Sequence, residues 1–393
     1  MEFSFNEREQ ALQKEVRSFL AREMGPQLKE EMESWEGSTL RPRFSEGLRQ
    51  LLRRMGKKGW FGIPWPKKYG GQEGTFTEQY VVVDEMTYQG VLPDRESLAI
   101  VGPDLLVFGS EEHKREFLPS ITRSELVFCI GYSEPGFGSD LGGAQTRAVE
   151  DGDDYVITGQ KIFTSRAHEA DFCWLLARTD PQAPKHKGLS VFLVPMKSPG
   201  ITIRPLINMA DIHYFNEVFF DQVRVPKRNL VGEKNRGWYH VATALDFERT
   251  PILFPAGPTR RALDRLVSLV REGGLARRPG VALWRQRLAE LAIEVEVLQV
   301  LCYRVVWLLD RGKVPNFESS MIKLFGTELS QRVAQAGMGL MGLYGPLLRG
   351  SPRAFLGGLA PRLSMVSIPT TIAGGTSEVQ RNIIAQRGLG LPR

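Results

Sequence analysis

Apolar positions divide the chain before anything else does. Leu12, Val16, Phe19 and Leu20 recur at spacings of three and four, which predicts an amphipathic helix, and the pattern stays helical from Asn6 to about Ile121. The patch Gly62-Ile63-Pro64-Trp65-Pro66-Lys67-Lys68-Tyr69-Gly70-Gly71 interrupts it, because two prolines lack the backbone donor a helix needs and the glycines favour turns. From about Ser124 to Lys234 the period changes to two, as in Tyr155-Val156-Ile157, Phe172-Cys173-Trp174-Leu175-Leu176, Ser190-Val191-Phe192-Leu193-Val194 and Val218-Phe219-Phe220. Asp151-Gly152-Asp153-Asp154, Thr179-Asp180-Pro181 and Ser198-Pro199-Gly200 each favour a reversal between such runs, so this stretch predicts a compact antiparallel barrel or sandwich. After Gly237-Trp238 long helices return. Leu288, Leu291, Val295, Leu298, Leu301, Val305 and Leu308 mark one apolar seam over about 283–309, long enough for a helix bundle. Pro315 and Gly337-Met338-Gly339-Leu340-Met341-Gly342 punctuate the helical stretch after it. The expectation is an α+β chain with helices over 1–122, strands over 123–235 and helices over 236–393.

Composition narrows the class. The 393 residues, 42% hydrophobic and 24% charged, suit a globular protein of two or three domains. No apolar run reaches the roughly 18 residues of a spanning helix, and Met1-Glu2-Phe3-Ser4-Phe5-Asn6-Glu7 lacks the basic lead and apolar core of a secretory signal, so a cytoplasmic location is expected. Cys129, Cys173 and Cys302 stand far apart with no C-x-x-C, and the five histidines show no ligand spacing, so neither a disulfide framework nor a metal site is indicated. Fifty-one basic against forty-five acidic residues leave +6. Clusters such as Arg53-Arg54 with Lys57-Lys58 read as solvated faces rather than a nucleic-acid stripe, while an anionic substrate stays compatible.

Three places carry candidate chemistry. In Cys129-Ile130-Gly131-Tyr132-Ser133-Glu134-Pro135-Gly136-Phe137-Gly138-Ser139-Asp140 the glycines and hydroxyls suit an ordinary turn, or a loop whose backbone approaches a phosphate or a heteroaromatic ring. It is neither a Walker A loop nor a G-x-G-x-x-G fingerprint. Ile372-Ala373-Gly374-Gly375-Thr376-Ser377-Glu378-Val379-Gln380-Arg381-Asn382 reads as a capped helix start, whose N–H groups also suit an anion or a developing oxyanion. Leu245-Asp246-Phe247-Glu248-Arg249 sets acid beside base, as a surface ion pair or as a reacting group with its companion.

Together these residues resemble the acyl-CoA dehydrogenase family over essentially the whole chain. The resemblance runs from Pro66-Lys67-Lys68-Tyr69-Gly70-Gly71 and Phe108-Gly109-Ser110-Glu111-Glu112 through Tyr132-Ser133-Glu134-Pro135, Gly138-Ser139-Asp140 and Thr158-Gly159-Gln160-Lys161. It continues through Phe220-Asp221-Gln222-Val223-Arg224-Val225-Pro226 and Val231-Gly232-Glu233 to Gly375-Thr376-Ser377-Glu378-Val379-Gln380-Arg381. It implies a helical domain, a middle antiparallel β-barrel and a C-terminal four-helix bundle. The implied reaction is FAD-dependent oxidation of an acyl-CoA thioester to its trans-2-enoyl product, a carboxylate taking the α-proton while the β-hydrogen leaves as hydride to flavin N5.

By motif matching, the resemblance places FAD contacts at Ile130, Tyr132, Ser133, Gly138, Ser139, Phe163, Thr164, Ser165, Thr376 and Glu378. Phe163 stands where Trp is common. Many members carry the catalytic glutamate directly before the Gly-Thr of the last motif, where this chain has Gly374 and then Gly375. A smaller set takes the base from a Glu-Arg pair on a bundle helix, and Glu248 of Glu248-Arg249 matches it. Asp246, Arg249 and Ser139 then contact acyl-CoA, and the N–H of Gly374 stabilises the thioester oxygen.

The half of the FAD site that a subunit lends its neighbour departs from the pattern. Leu275-Ala276-Arg277-Arg278-Pro279-Gly280 lacks the family's Arg-x-x-Phe-Gly, and the usual Gln and Gly-Gly fall at Gly339 and Gly342-Leu343. Beside a homotetramer or homodimer, this admits a heterotetramer with a related subunit. Asn208-Met209-Ala210 and His213-Tyr214-Phe215-Asn216-Glu217-Val218 resemble relatives acting on sterol side chains or other bulky CoA esters. Electron-transfer flavoprotein is the implied acceptor. An FAD-binding or silent partner subunit of a heteromeric acyl-CoA dehydrogenase, or a flavin monooxygenase or oxidase on the same fold, are the alternative functions.

Overall fold

The computed structural model describes residues 4–34, 44–248, 255–272 and 280–392. Six helices come first: α1 (Glu7–Glu23), α2 (Pro26–Ser34), α3 (Glu46–Lys57), α4 (Phe76–Tyr88), α5 (Gly102–Phe108) and α6 (Glu111–Thr122). Eight strands follow, β1 (Phe128–Gly131), β2 (Arg147–Asp151), β3 (Asp154–Lys161), β4 (Phe172–Arg178), β5 (Leu189–Pro195), β6 (Ile201–Ile207), β7 (His213–Pro226) and β8 (Leu230–Val231). The chain closes with α7 (Gly237–Glu248), α8 (Gly257–Glu272), α9 (Val281–Asp310), α10 (Phe317–Met341), α11 (Leu359–Ser367) and α12 (Ser377–Ile383). It thus runs helical, β, helical, as its hydrophobic periods predict. No helix of the described residues is long and apolar enough to cross a membrane.

Two compact units share these elements, Met1–Leu40 with Thr75–Pro93 and Arg249–Arg393 in one, Arg41–Gly74 with Asp94–Glu248 in the other. In the first, α4, α8, α9 and α10 pack on one another, with α1 on α4 and α11 and α12 on α10. The α9 seam follows a strict alternation of three and four, burying Leu288, Leu291, Val295, Leu298, Cys302, Val305 and Leu309. Leu301 and Leu308, expected in that seam, are half-buried. A step of four rather than three residues from Leu298 and from Val305 keeps the stripe on one side, and the small Cys302 thiol fits where periodicity alone favoured leucine.

The second unit is built on the sheet. Its strand order is β6-β7-β3-β2-β4-β5-β8, with β1 beside β4. Most pairings are antiparallel, and two expected reversals stand between strands: Gly152 has φ +59° between β2 and β3, which pair, and Gly200 has φ +90° between β5 and β6, which do not. A purely antiparallel arrangement is corrected in two places, because β1 runs parallel to β4 and β2 meets β4 in parallel at Arg147 and Arg178. The reason is connectivity: β1 enters straight from α6 and shares no hairpin with β4. Strand β7 alternates buried and half-exposed residues through Phe220, whereas β4 and β5 are buried almost throughout. Part of that second cover is aromatic, with Phe117 of α6 edge-on to Phe172 at 5.1 Å and to Phe128 at 5.9 Å.

Candidate active site

The loop after β1 is anchored below and open above. Reciprocal backbone hydrogen bonds of 3.0 Å between Glu134 and Phe137 close a tight turn around Pro135 and Gly136. The Glu134 carboxylate accepts from the N–H groups of Gln145 at 2.7 Å and Thr146 at 2.8 Å, and from Lys161 Nζ at 2.8 Å. Lys161, wholly buried, also donates to the Tyr132 carbonyl at 3.0 Å. Burial opposes charge on both partners, yet the Lys161 ammonium and the two N–H groups hold the Glu134 carboxyl below its usual range. The Tyr132 hydroxyl accepts from Trp174 Nε1–H at 3.1 Å. Above this base Gly136, Gly138 and Ser139 are exposed, and a Cβ added at Gly138 would meet no atom within 4 Å.

A second segment joins the loop through the Ile162 N–H, which donates to the Ser133 carbonyl at 2.9 Å. Next comes Phe163 at φ +56°, a left-handed conformation unusual for an aromatic residue, with 61% of its surface exposed. Thr164 is fixed by exchange with Asn216, donating its N–H to the Asn216 carbonyl at 3.0 Å and accepting from Asn216 Nδ2 at 3.0 Å. Its hydroxyl is buried without a partner among the described residues. Arg166 supports the segment, pairing with Asp94 at 2.7 Å and Glu96 at 2.5 Å and stacking its guanidinium over Phe44. Ile130, Tyr132, Ser133, Gly138, Ser139, Phe163, Thr164 and Ser165 therefore belong to one locally anchored arrangement.

The C-terminal motif lies in the other unit. Gly374 and Gly375 take φ +64° and +84°, which a side chain would strain. Their carbonyls are tied inward: Gln380 Nε2 donates to both, at 3.0 and 3.1 Å, and Lys323 Nζ donates to Gly375 at 2.7 Å. The Gly374 N–H has no acceptor among the described residues. Thr376 caps α12, accepting from the Val379 N–H at 3.3 Å, while the exposed Glu378 carboxyl is held below its usual range by its own N–H and by Thr376. Thr376, Ser377 and Glu378 border a pocket of about 430 Å³ with Gln331, Gln335 and Thr371.

The backbone of α7 is described to Glu248, but the side chains of Asp246 and Glu248 lie outside the described residues, as does Arg249. Residues 275–279 lie outside them as well. A Cβ on Gly339 would stand 2.3 Å from Cη2 of Trp284, and Leu343 is 95% exposed. Among the described residues no group of His, Cys, Asp and Glu could hold a metal ion.

Glu134, Lys161, Asn216, Lys323 and Gln380 were not singled out as site residues from the sequence. Glu134, Lys161, Asn216 and Gln380 stood inside the motifs that carried the resemblance, and what marks all five is burial of their polar groups, which needs the fold to be seen.

Models of the acyl-CoA dehydrogenase N-terminal, middle and C-terminal domains match residues 6–125, 129–223 and 235–389. Acyl-CoA dehydrogenase FadE26 of Mycobacterium tuberculosis is 36% identical over 406 residues, covering 100% of this chain and 99% of that protein. FadE29 of the same organism is 36% identical over 388 residues, covering 97% and 96%. Among solved structures, the Tcur3481-Tcur3483 steroid ACAD superposes with a TM-score of 0.89 at 34% identity over 100% of both chains. The ChsE4-ChsE5 complex from Mycobacterium tuberculosis gives 0.88 at 34% identity, again over 100% of both.

Proposed function

The chain belongs to the acyl-CoA dehydrogenase family, and from that premise we propose that it is an FAD-dependent oxidoreductase converting an acyl-CoA thioester to its trans-2-enoyl product. The observation that carries the cofactor is the loop after β1, rigid at its base yet bare at Gly138, beside an exposed aromatic ring at Phe163 and a buried, unspent hydroxyl at Thr164. Those features fit a flavin, held by Ile130, Tyr132, Ser133, Gly138, Ser139, Phe163, Thr164 and Ser165, with Thr376 and Glu378 contributing from the C-terminal motif. FAD, when bound, supplies the acceptor for the β-hydrogen as hydride.

The chain's own task is to make a weak carbon acid give up its α-proton. Glu248 is the base, with Asp246, Arg249 and Ser139 holding acyl-CoA. A substrate that excludes water raises the carboxylate's pKa towards neutrality and makes it a better base. Charge building on the thioester oxygen meets the Gly374 N–H, whose flanking carbonyls are fixed by Gln380 and Lys323. With Gly374 where many relatives carry glutamate, Glu248 is the carboxylate left to do this work.

Domains of 1–122, 123–235 and 236–393, a cytoplasmic location and electron-transfer flavoprotein as acceptor belong to the same proposal. For assembly, a homotetramer, a homodimer and a heterotetramer with a related subunit are all compatible with the family. A side chain at 339 would press on the Trp284 ring, which supports a related partner subunit, and solved relatives include complexes titled with two components. The test is an anaerobic spectrum of the purified chain, titrated with short, long, branched and sterol-derived CoA thioesters. Bleaching by one class is expected and names the substrate. A colourless chain that takes up no FAD would sink the reading in favour of a silent subunit.

A further inference from the structure

Asp104 of α5 is a buried carboxylic acid. It has 0% of its surface exposed, and neither carboxyl oxygen has a hydrogen-bond partner among the described residues. Burial pushes its carboxyl well above the usual range and so favours the neutral form, which carries one O–H donor and unspent acceptor sites. An apolar side chain of similar size would spare the fold this desolvation, so the acid calls for a use outside the fold.

Its surroundings suggest the use. Asp104 and Phe108 stand one turn apart on the same face of α5. The Phe108 ring stacks on His240 of α7, centroids 4.2 Å apart and planes at 27°. His240 is 3% exposed, and its Nδ1 also lacks a partner among the described residues. The packed pair α5 and α7 thus carries two buried side chains with unspent polar atoms, His240 at their seam and Asp104 one turn before Phe108. Glu248 ends α7 eight residues beyond His240, about 12 Å along the axis at 1.5 Å per residue.

We propose that Asp104 is a specificity residue, donating a hydrogen bond to a hydroxyl or carbonyl oxygen at the far end of an acyl group that is apolar for most of its length. The proposal rests on the dehydrogenase reading with Glu248 as base. A charged end group does not suit the seam, because it would lose its water to a single neutral partner. A neutral oxygen gains the O–H that the fold leaves unused.

The experiment compares flavin bleaching by octanoyl-, decanoyl- and dodecanoyl-CoA with that by their terminal hydroxy and terminal oxo analogues, in the wild type, Asp104→Leu and Asp104→Asn. The wild type should favour an oxygenated thioester in kcat/KM by roughly 10- to 100-fold over its unsubstituted match. Asp104→Leu should erase that preference while keeping its rate on the unsubstituted thioester, and Asp104→Asn, which still donates, should retain most of it. The wild-type preference alone reads the proposal even where a variant fails to fold. A wild type without preference, or an Asp104→Leu variant slowed equally on both sets, overturns the role of Asp104 and leaves the dehydrogenase standing. Failure of every thioester to bleach the wild type overturns both.

Discussion

Glu134 and Lys161 show how a buried charge pair shapes the loop after β1 from beneath. The ammonium has two acceptors and the carboxylate three donors, so removing one partner strands the other in a dry site. Lys161→Met should destabilise the protein by about 3–5 kcal/mol, read as a lower urea midpoint, with weaker FAD retention on gel filtration. A midpoint unchanged from wild type would mean that the loop is held by its backbone alone. Glu248→Gln tests the opposite kind of residue: FAD should stay bound and bleaching by acyl-CoA should cease, and normal bleaching would remove Glu248 from the mechanism. The tight turn after β1 was legible in the sequence because its proline, glycine and hydroxyl residues favour one. The Asn216 exchange with Thr164 was not, because it joins β7 to a segment 52 residues away.

Among the elements, helices α1 and α9 and the hairpin turns were legible because each answers to a local rule, apolar spacing or a glycine at positive φ. Cys302 within α9 and the parallel seating of β1 were not, because both are settled by what lies across the interface. Strand β1 offers a direct test. A Cβ at Gly131 would come within 2.7 Å of the Cys173 Sγ and 2.8 Å of the Leu175 Cδ1 in the parallel neighbour β4. Gly131→Ala should therefore lower stability by about 1–3 kcal/mol and loosen FAD, since Tyr132 and Ser133 follow at once. Unaltered stability and FAD affinity would show that β1 shifts freely. The same logic at Gly339→Ala presses on Trp284, whose ring can move, so a smaller loss is expected there.

For the molecule as a whole, His240 dictates a response to acid. Burial and the Arg236 charge lower its imidazole to about 4 from an unfolded value of 6.5. Between those limits the unfolded chain binds a proton that the native chain refuses, so stability falls as pH drops from about 6.5 towards 4 and gains nothing from this group above that window. The loss is on the order of 2–3 kcal/mol. Glu134, whose carboxyl is depressed, stabilises above its ordinary value of 4.5 and gives that up only in stronger acid. His240→Phe, which keeps a ring against Phe108, should flatten the urea midpoint between pH 7 and pH 5. A midpoint that falls as steeply as in wild type would assign the acid response to other groups.

The chain passes from one compact unit to the other after positions 40, 74, 93 and 248. Neither unit is a cassette that recombination could lift out whole. Exchanging 129–223, the stretch matched by the middle family model, would leave 41–74 and 94–128 of the same unit with the old parent. Such chimeras would mismatch inside a single core, for instance where Phe117 meets Phe172. In a chain threaded in this way a point substitution disturbs less of the core than an exchanged segment does.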